Sequence, residues 1–270
     1  MEVIRSLSLS ILIVLVSLAA VGCRESPENK FIKKGDRLAA SRDIKKLESA
    51  LSEYKKALVL NPNSISIKDK IAMADGKLGK EMVRQGMWNE AVVRLEESLE
   101  IKPNIANNRY YLALAYINKA RIDSAPTESI DHAIAEYKKA ISLEPDTRFY
   151  TGLAIAYYHK DEGLTDRALE TVKQAISSDT NFAYARAVLG RFLLEQEKLE
   201  EALDSYRSAA RLAEKKNLNE AAEYYDAQGD IYSLMGNTIA AEESRERASE
   251  LRAKVRRSRR GLGPAPVNRQ

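Results

Sequence analysis

One local pattern constrains this chain more than any other. Six stretches start with Ala and carry a small residue seven positions later: "ALSEYKKALVLNP" (50–62), "AVVRLEESLEIKP" (91–103), "AIAEYKKAISLEP" (133–145), "ALETVKQAISSDT" (168–180), "ALDSYRSAARLAE" (202–214) and "AEESRERASELRA" (241–253). The seventh-position residues are Ala57, Ser98, Ala140, Ala175, Ala209 and Ala248. Residues i and i+7 lie two turns apart on one helix face, so each pair makes a smooth strip against which a second helix can pack closely. Pro62, Pro103 and Pro145 close three of the stretches, because proline cannot continue a helix interior. Before each stretch stands a second helical pattern with a small residue and, three on, a large one. The pairs are Gly79/Met82, Ala113/Tyr116, Ala154/Tyr157, Gly190/Leu193 and Gly229/Tyr232, with Gly35/Leu38 a weaker example. Turn signals ("QGMWNEA", "HKDEGLTDRA", "LMGNTIAA") separate the two helices of a pair. A helical hairpin of this size cannot bury its apolar side alone, so consecutive hairpins must stack.

The arrangement resembles the tetratricopeptide repeat (TPR) family, whose unit is a 34-residue helix–turn–helix. The motifs "YYLALAY…AIAEYKKAISLEP" and "GDIYSLMGNTIAAEE" match it most clearly. The resemblance covers residues 31–253 and implies an all-α, right-handed superhelical solenoid of about six repeats. The seventh-position residues are 41, 42, 35, 34 and 39 apart, so three units carry extra residues. The first excess falls in a long helix over 65–85. The second falls in "NKARIDSAPTES", where Pro126 breaks the chain and Thr127 can cap the next helix. The third falls in a lengthened helix at "LAEKKNLNEAAEYY".

The flanks differ from this body. Arg5 precedes an apolar run, "LSLSILIVLVSLAAV", of about 15 residues, short of the roughly 20 that span a bilayer. It ends at Ala20, Val21 and Gly22, directly before Cys23, the chain's one cysteine. A lone cysteine cannot staple the fold. The stretch resembles a bacterial lipobox, with Ala20 where that motif favours Leu. The resemblance implies cleavage before Cys23 and lipid attachment to its thiol. An ordinary cleaved signal and an uncleaved N-terminal anchor remain the alternatives. The expected organisation is a lipoprotein signal over 1–22, a polar tether over 23–30, repeats over 31–253 and a basic disordered tail over 254–270. That tail includes "RRSRR", a solvated charge run or a contact for acidic headgroups.

Charge and chemistry narrow the function. The net charge is +4, but seven basic residues and no acid lie beyond Leu251, and Glu2 cancels Arg5, which leaves the body at −3. A mildly acidic body does not suit nucleic-acid binding. The two histidines, His132 and His159, and one cysteine give no metal-ligand spacing. "DGKLGKE" has Glu81 where a P-loop needs Ser or Thr. The acid pairs Glu96/Glu97 and Glu242/Glu243 read as solvated charges, and Trp88 as a packing residue at an inter-helix turn. No enzyme, cofactor, metal or small-molecule substrate is expected.

The TPR and lipobox resemblances together imply a lipid-anchored bacterial envelope scaffold that binds protein partners. It would support assembly of an envelope complex, such as a type IV pilus-like machine, or adapt a peptidoglycan enzyme. In enteric lipoproteins an Asp after the lipidated Cys tends to hold the protein in the inner membrane; the resemblance, with Arg24 there instead, implies the outer membrane, facing the periplasm. The alternative is a TPR subunit of a polysaccharide or protein export complex held by an uncleaved N-terminal anchor. In TPRs the first helix of each unit lines an inner wall. Residues one and four after its small position, and three before it, point inward. That phase gives Tyr110, Leu114 and Ile117 in the third repeat, Ile155 and Tyr158 in the fourth, and Arg191 and Leu194 in the fifth. The sixth gives Asp226 and Asp230, while Arg148 and Tyr184 fall at the edge. The wall is thus expected to be aromatic in the middle and acidic toward its C-terminal end. It lacks the ordered Lys and Asn set of carboxylate-clamp TPRs, so capture of a chaperone C-terminus is not expected.

Overall fold

The computed structural model describes residues 26–122, 126–163 and 165–259. Those residues form helices paired in sequence order: α1 (Pro27–Ala39) with α2 (Ile44–Leu60), α3 (Ile65–Arg84) with α4 (Trp88–Ile101), α5 (Ala106–Ala120) with α6 (Pro126–Leu143), α7 (Thr147–Lys160) with α8 (Asp166–Ser178), α9 (Ala183–Glu195) with α10 (Leu199–Ala213), and α11 (Leu218–Leu234) with α12 (Thr238–Arg259). Among the described residues there is no strand. Each pair packs along its length, and the second helix of each of the first five pairs packs on the first helix of the next.

The alanine strips are where the helices close. Ala50, Ala91, Ala133, Ala168 and Ala202 are wholly buried, as is the small residue seven positions on in each of the six strips. The small residue of the first helix faces the fifth residue of its partner strip. A Cβ on Gly35 would stand 2.5 Å from the Tyr54 ring, on Gly79 2.6 Å from Leu95, and on Gly190 2.8 Å from Tyr206. The weak first candidate, Gly35, therefore occupies the same contact as the strong ones. In the second strip the small residue is Ser98, whose hydroxyl donates to the Ala72 carbonyl at 2.6 Å and accepts from Asn108 Nδ2 at 2.8 Å, joining α3, α4 and α5.

Starts and stops are local. Asp43, Ser64, Asp146, Thr165 and Asn217 cap α2, α3, α7, α8 and α11, each accepting from a backbone N–H of the first turn. After α3 and α11 the chain turns through Gly86 and Gly236, both at φ +76°. After α9 the same left-handed position is held by Glu197 at φ +60°.

Several expected boundaries shift. α3 has 20 residues over Ile65–Arg84, which accounts for the first long spacing. Pro126 opens α6 as its first residue, so Thr127 lies inside the helix and does not cap it. The third excess splits between the turn after Ala213 and a 17-residue α11. Helix α1 already begins at Pro27, within the expected tether, and α12 continues through Arg259, so 254–259 is helical and not disordered tail. The N-terminal signal, Cys23 and the rest of the tail lie outside the described residues. No helix among the described residues is long and apolar enough to cross a membrane.

Two large hydrophobic cores run through the stack. The larger extends from α2 to α9, where it includes Val188 and Phe192. The second includes Ala187 and Leu193 on α9 and continues to Leu251 in α12.

Candidate protein-interaction surface

The packing fixes which helices line the inner side. The first helices of successive pairs touch one another (α3 on α5, α5 on α7, α7 on α9). Neighbouring second helices make no comparable contact among the described residues. A stack whose first helices crowd while its second helices splay curves toward the first, so α3, α5, α7 and α9 form its inner wall.

At the centre of that wall is an aromatic cluster. The Tyr110 ring lies 5.1 Å from Tyr111, 6.0 Å from Tyr137 and 5.3 Å from Phe149. Burial and the neighbouring Tyr111 hydroxyl push the Tyr110 phenol up to about 12. The Arg148 guanidinium covers the Tyr110 and Phe149 rings at 5.6 and 5.5 Å. It is not free for a ligand, since Asp146 takes it in hydrogen bonds of 2.7–3.2 Å. That bond holds Asp146 below the usual carboxylate range. Tyr184, nearly half exposed, stands at the edge of the cluster, with Phe182 6.3 Å away edge-on.

Further along, Tyr158 stacks on Phe192 of the next repeat at 4.5 Å and 7°. Ile117 is buried, and Leu114, Ile155 and Leu194 are part-buried against the cores. Tyr110, Tyr158 and Ile117 thus spend much of their surface between repeats. Arg191 differs. Its Nε and Nη2 are sealed from solvent yet have no hydrogen-bond acceptor among the described residues. His159 on α7 lies close by; burial and the cations Arg191 and Arg121 hold its imidazole below its ordinary value.

The C-terminal end is not the acidic wall that sequence phase implied. Asp226 is paired with Arg252, and Asp230 with Arg245 at 3.1 Å, both arginines coming from α12. These partners lie 26 and 15 residues along the chain, beyond a local reading.

A basic groove sits at the opposite end. A groove of about 650 Å³ is lined by Arg42 from the α1–α2 turn, by Met73, Lys77, Lys80 and Arg84 of α3, and by Asn107, Asn108 and Tyr111 of α5. The inward phase, applied to Gly79, would have given Gly76, Lys80 and Val83. Lys80 does line this groove, so the signal was present but was carried only from the third repeat onward.

No family model matches the chain. Over 140 residues it is 28% identical to the Hsp70-Hsp90 organising protein of Plasmodium falciparum, covering 52% of this chain and 24% of that protein. Over 155 residues it is 25% identical to the DnaJ homolog subfamily C member 7 homolog of Schizosaccharomyces pombe, covering 55% of this chain and 31% of that one. The match therefore spans under a third of either relative. Among solved structures, the thermophilic TPR protein TTC0263 of Thermus thermophilus superposes with a TM-score of 0.52 at 22% identity, over 74% of this chain and 98% of that one. The Cut9–Hcn1 structure gives a TM-score of 0.57 at 14% identity, over 85% and 51%. The fold is a TPR solenoid. MamA, with a TM-score of 0.50 at 20% identity over 67% of this chain and 97% of that one, shares it.

In a TPR solenoid of this kind the inner wall offers partly exposed aromatic rings and a cationic groove. Trp88 stands at the first residue of α4, part-buried against the core. Glu96 accepts from the Tyr116 hydroxyl at 2.5 Å, and Glu97 pairs with Arg94 at 2.6 Å.

Proposed function

We propose that this TPR solenoid is a scaffold whose inner wall receives an extended or helical segment of a partner protein. One observation carries the reading: the inner wall presents an aromatic cluster around Tyr110, with Tyr184, 46% exposed, at its edge. Tyr and Arg are among the residue types most enriched at binding hot spots. The sequence adds the setting. The lipobox-like run before Cys23 supports a lipid-anchored protein of the bacterial envelope, at the outer membrane. There a scaffold of this form would support assembly of an envelope complex of the pilus type or adapt a peptidoglycan enzyme.

Two experiments test this. A photo-crosslinking residue placed at Tyr184, on the inner wall, should trap a partner segment in the native envelope, whereas one at Lys173, exposed on α8, should not. The reverse pattern refutes the inner wall as the site. Metabolic labelling with a palmitate analogue should mark the natural chain and not Cys23→Ser. Labelling of both excludes the lipid anchor at Cys23.

A further inference from the structure

We infer that the groove at the N-terminal end of the inner wall is built for an acidic internal segment of a protein partner. The inference rests on the scaffold reading and names the chemistry of what it holds. Met73, Lys77, Lys80 and Arg84 are spaced three or four apart, so they form one stripe along α3. Arg42 adds a cation from the α1–α2 turn on the same groove. The one acid in the lining is Glu81, and Arg84 already takes it at 2.7 Å.

Apart from Arg84, the groove cations are held in place without being neutralised by a carboxylate among the described residues. Lys77 Nζ donates to the Ala39 carbonyl at 2.5 Å, at the C-terminal end of α1. Lys80 stands 5.0 Å over the Tyr111 ring and has no carboxylate partner among the described residues. Arg42 has no ion-pair partner there either. Gly76 keeps the floor open: a Cβ there would meet the Asn108 amide at 2.3 Å. Asn107 and Asn108 bring side-chain amides to the same lining, and Met73, 64% exposed, offers an apolar contact.

Charge complementarity selects the occupant. The unneutralised charges come from two elements, Lys77 and Lys80 about one turn apart on α3 and Arg42 on the α1–α2 turn. A single terminal carboxylate cannot meet charges spread over two elements, whereas Asp and Glu side chains along an extended segment can. An apolar residue in the segment would meet Met73.

The probe is a fluorescein-labelled peptide of about ten residues, mostly Glu and Asp with two Leu, blocked at both termini so that only side chains carry charge. Its binding to the full chain in non-ionic detergent is read by fluorescence anisotropy. Binding should weaken steeply between about 0.05 M and 0.3 M salt. The double variant Arg42→Glu/Lys80→Glu breaks no ion pair of the fold and should lower affinity at least about tenfold. The double variant Lys173→Glu/Arg211→Glu changes net charge equally but lies away from the groove, and should bind as the natural chain does. Equal loss in both doubles, or no loss in the first, overturns the inference, as does a basic peptide that binds as well as the acidic one. Concentration-dependent self-association that the acidic peptide fails to reverse would assign the groove to a second copy and also overturn it. If the groove double still crosslinks a partner at Tyr184, the scaffold reading stands while this inference depends on the peptide result alone.

Discussion

Asp75 gives the sharpest test of how the stack is held. It lies in the middle of α3, 1% exposed, with Oδ1 lacking a hydrogen-bond partner among the described residues. Arg94 Nη1 is 3.7 Å away, too far for a hydrogen bond, and is engaged with Glu97 at 2.6 Å. Burial, with the nearby Glu97 charge, pushes the Asp75 carboxyl up to about 7. The folded protein therefore favours the protonated acid, while the unfolded chain titrates near 4. A raised folded value means that the stabilisation is complete below about pH 4 and is lost as pH climbs toward 7. Three units correspond to about 4 kcal/mol in all, of which about 2–3 kcal/mol falls between pH 5 and pH 8. Asp75→Asn keeps the shape and the donor of the protonated acid and has no charge to bury. Urea denaturation followed by circular dichroism, run on both proteins from pH 5 to pH 8.5, isolates the term. Carboxylates with depressed values, such as Glu53, Asp146 and Asp161, push in the opposite direction in both proteins and cancel in the difference. The variant should gain on the natural chain by the stated amount as pH rises. Parallel curves, or a variant that is weaker at pH 8.5, would show instead that Asp75 is a compensated ion.

Other expectations follow from single contacts. Glu197→Gly relieves a left-handed residue and should raise the urea midpoint by the equivalent of about 1 kcal/mol; a lower midpoint refutes it. Ala91→Leu or Ala202→Leu overfills a fully buried strip and should cost about 1–3 kcal/mol in thermal melting. Arg191→Met removes buried donors that lack acceptors, so it should stabilise the isolated chain by about 1 kcal/mol and at the same time reduce crosslinking at Tyr184. A gain in stability with undiminished crosslinking would detach Arg191 from the site.

How far the sequence could be read tracks how local each signal is. The alanine strips were legible because both ends of each strip lie on one helix and small residues at i and i+7 have one packing use. The inward phase counts from a residue on the same helix, so it too is a local signal, though the structure buries Ile117, which it named. What a given side chain does once it faces inward was not legible. Tyr158 is claimed by Phe192, and Asp226 by Arg252, both from elements that only the fold brings near. Asp75 looked like any polar residue in "AMADGKLG", and only the approach of α4 buries it. Thr127 was a sound cap by type, but Pro126 is itself acceptable as a first helical residue, and the helix starts two positions before the one Thr127 would have capped.

Helix α9 carries a mechanical consequence. It presents Val188 and Phe192 to one core and Ala187 and Leu193 to the other, so it is the only helix among the described residues that supplies buried side chains to both large cores. A load applied between the ends of the stack has to cross it. Thirteen residues long, it is a short rivet between two longer beams. Under tension the array should part there first, into a block ending at α8 and a block starting at α10. The Tyr158–Phe192 stack, which straddles that joint on the inner wall, would open with it, so stretching the scaffold would dismantle its own docking surface.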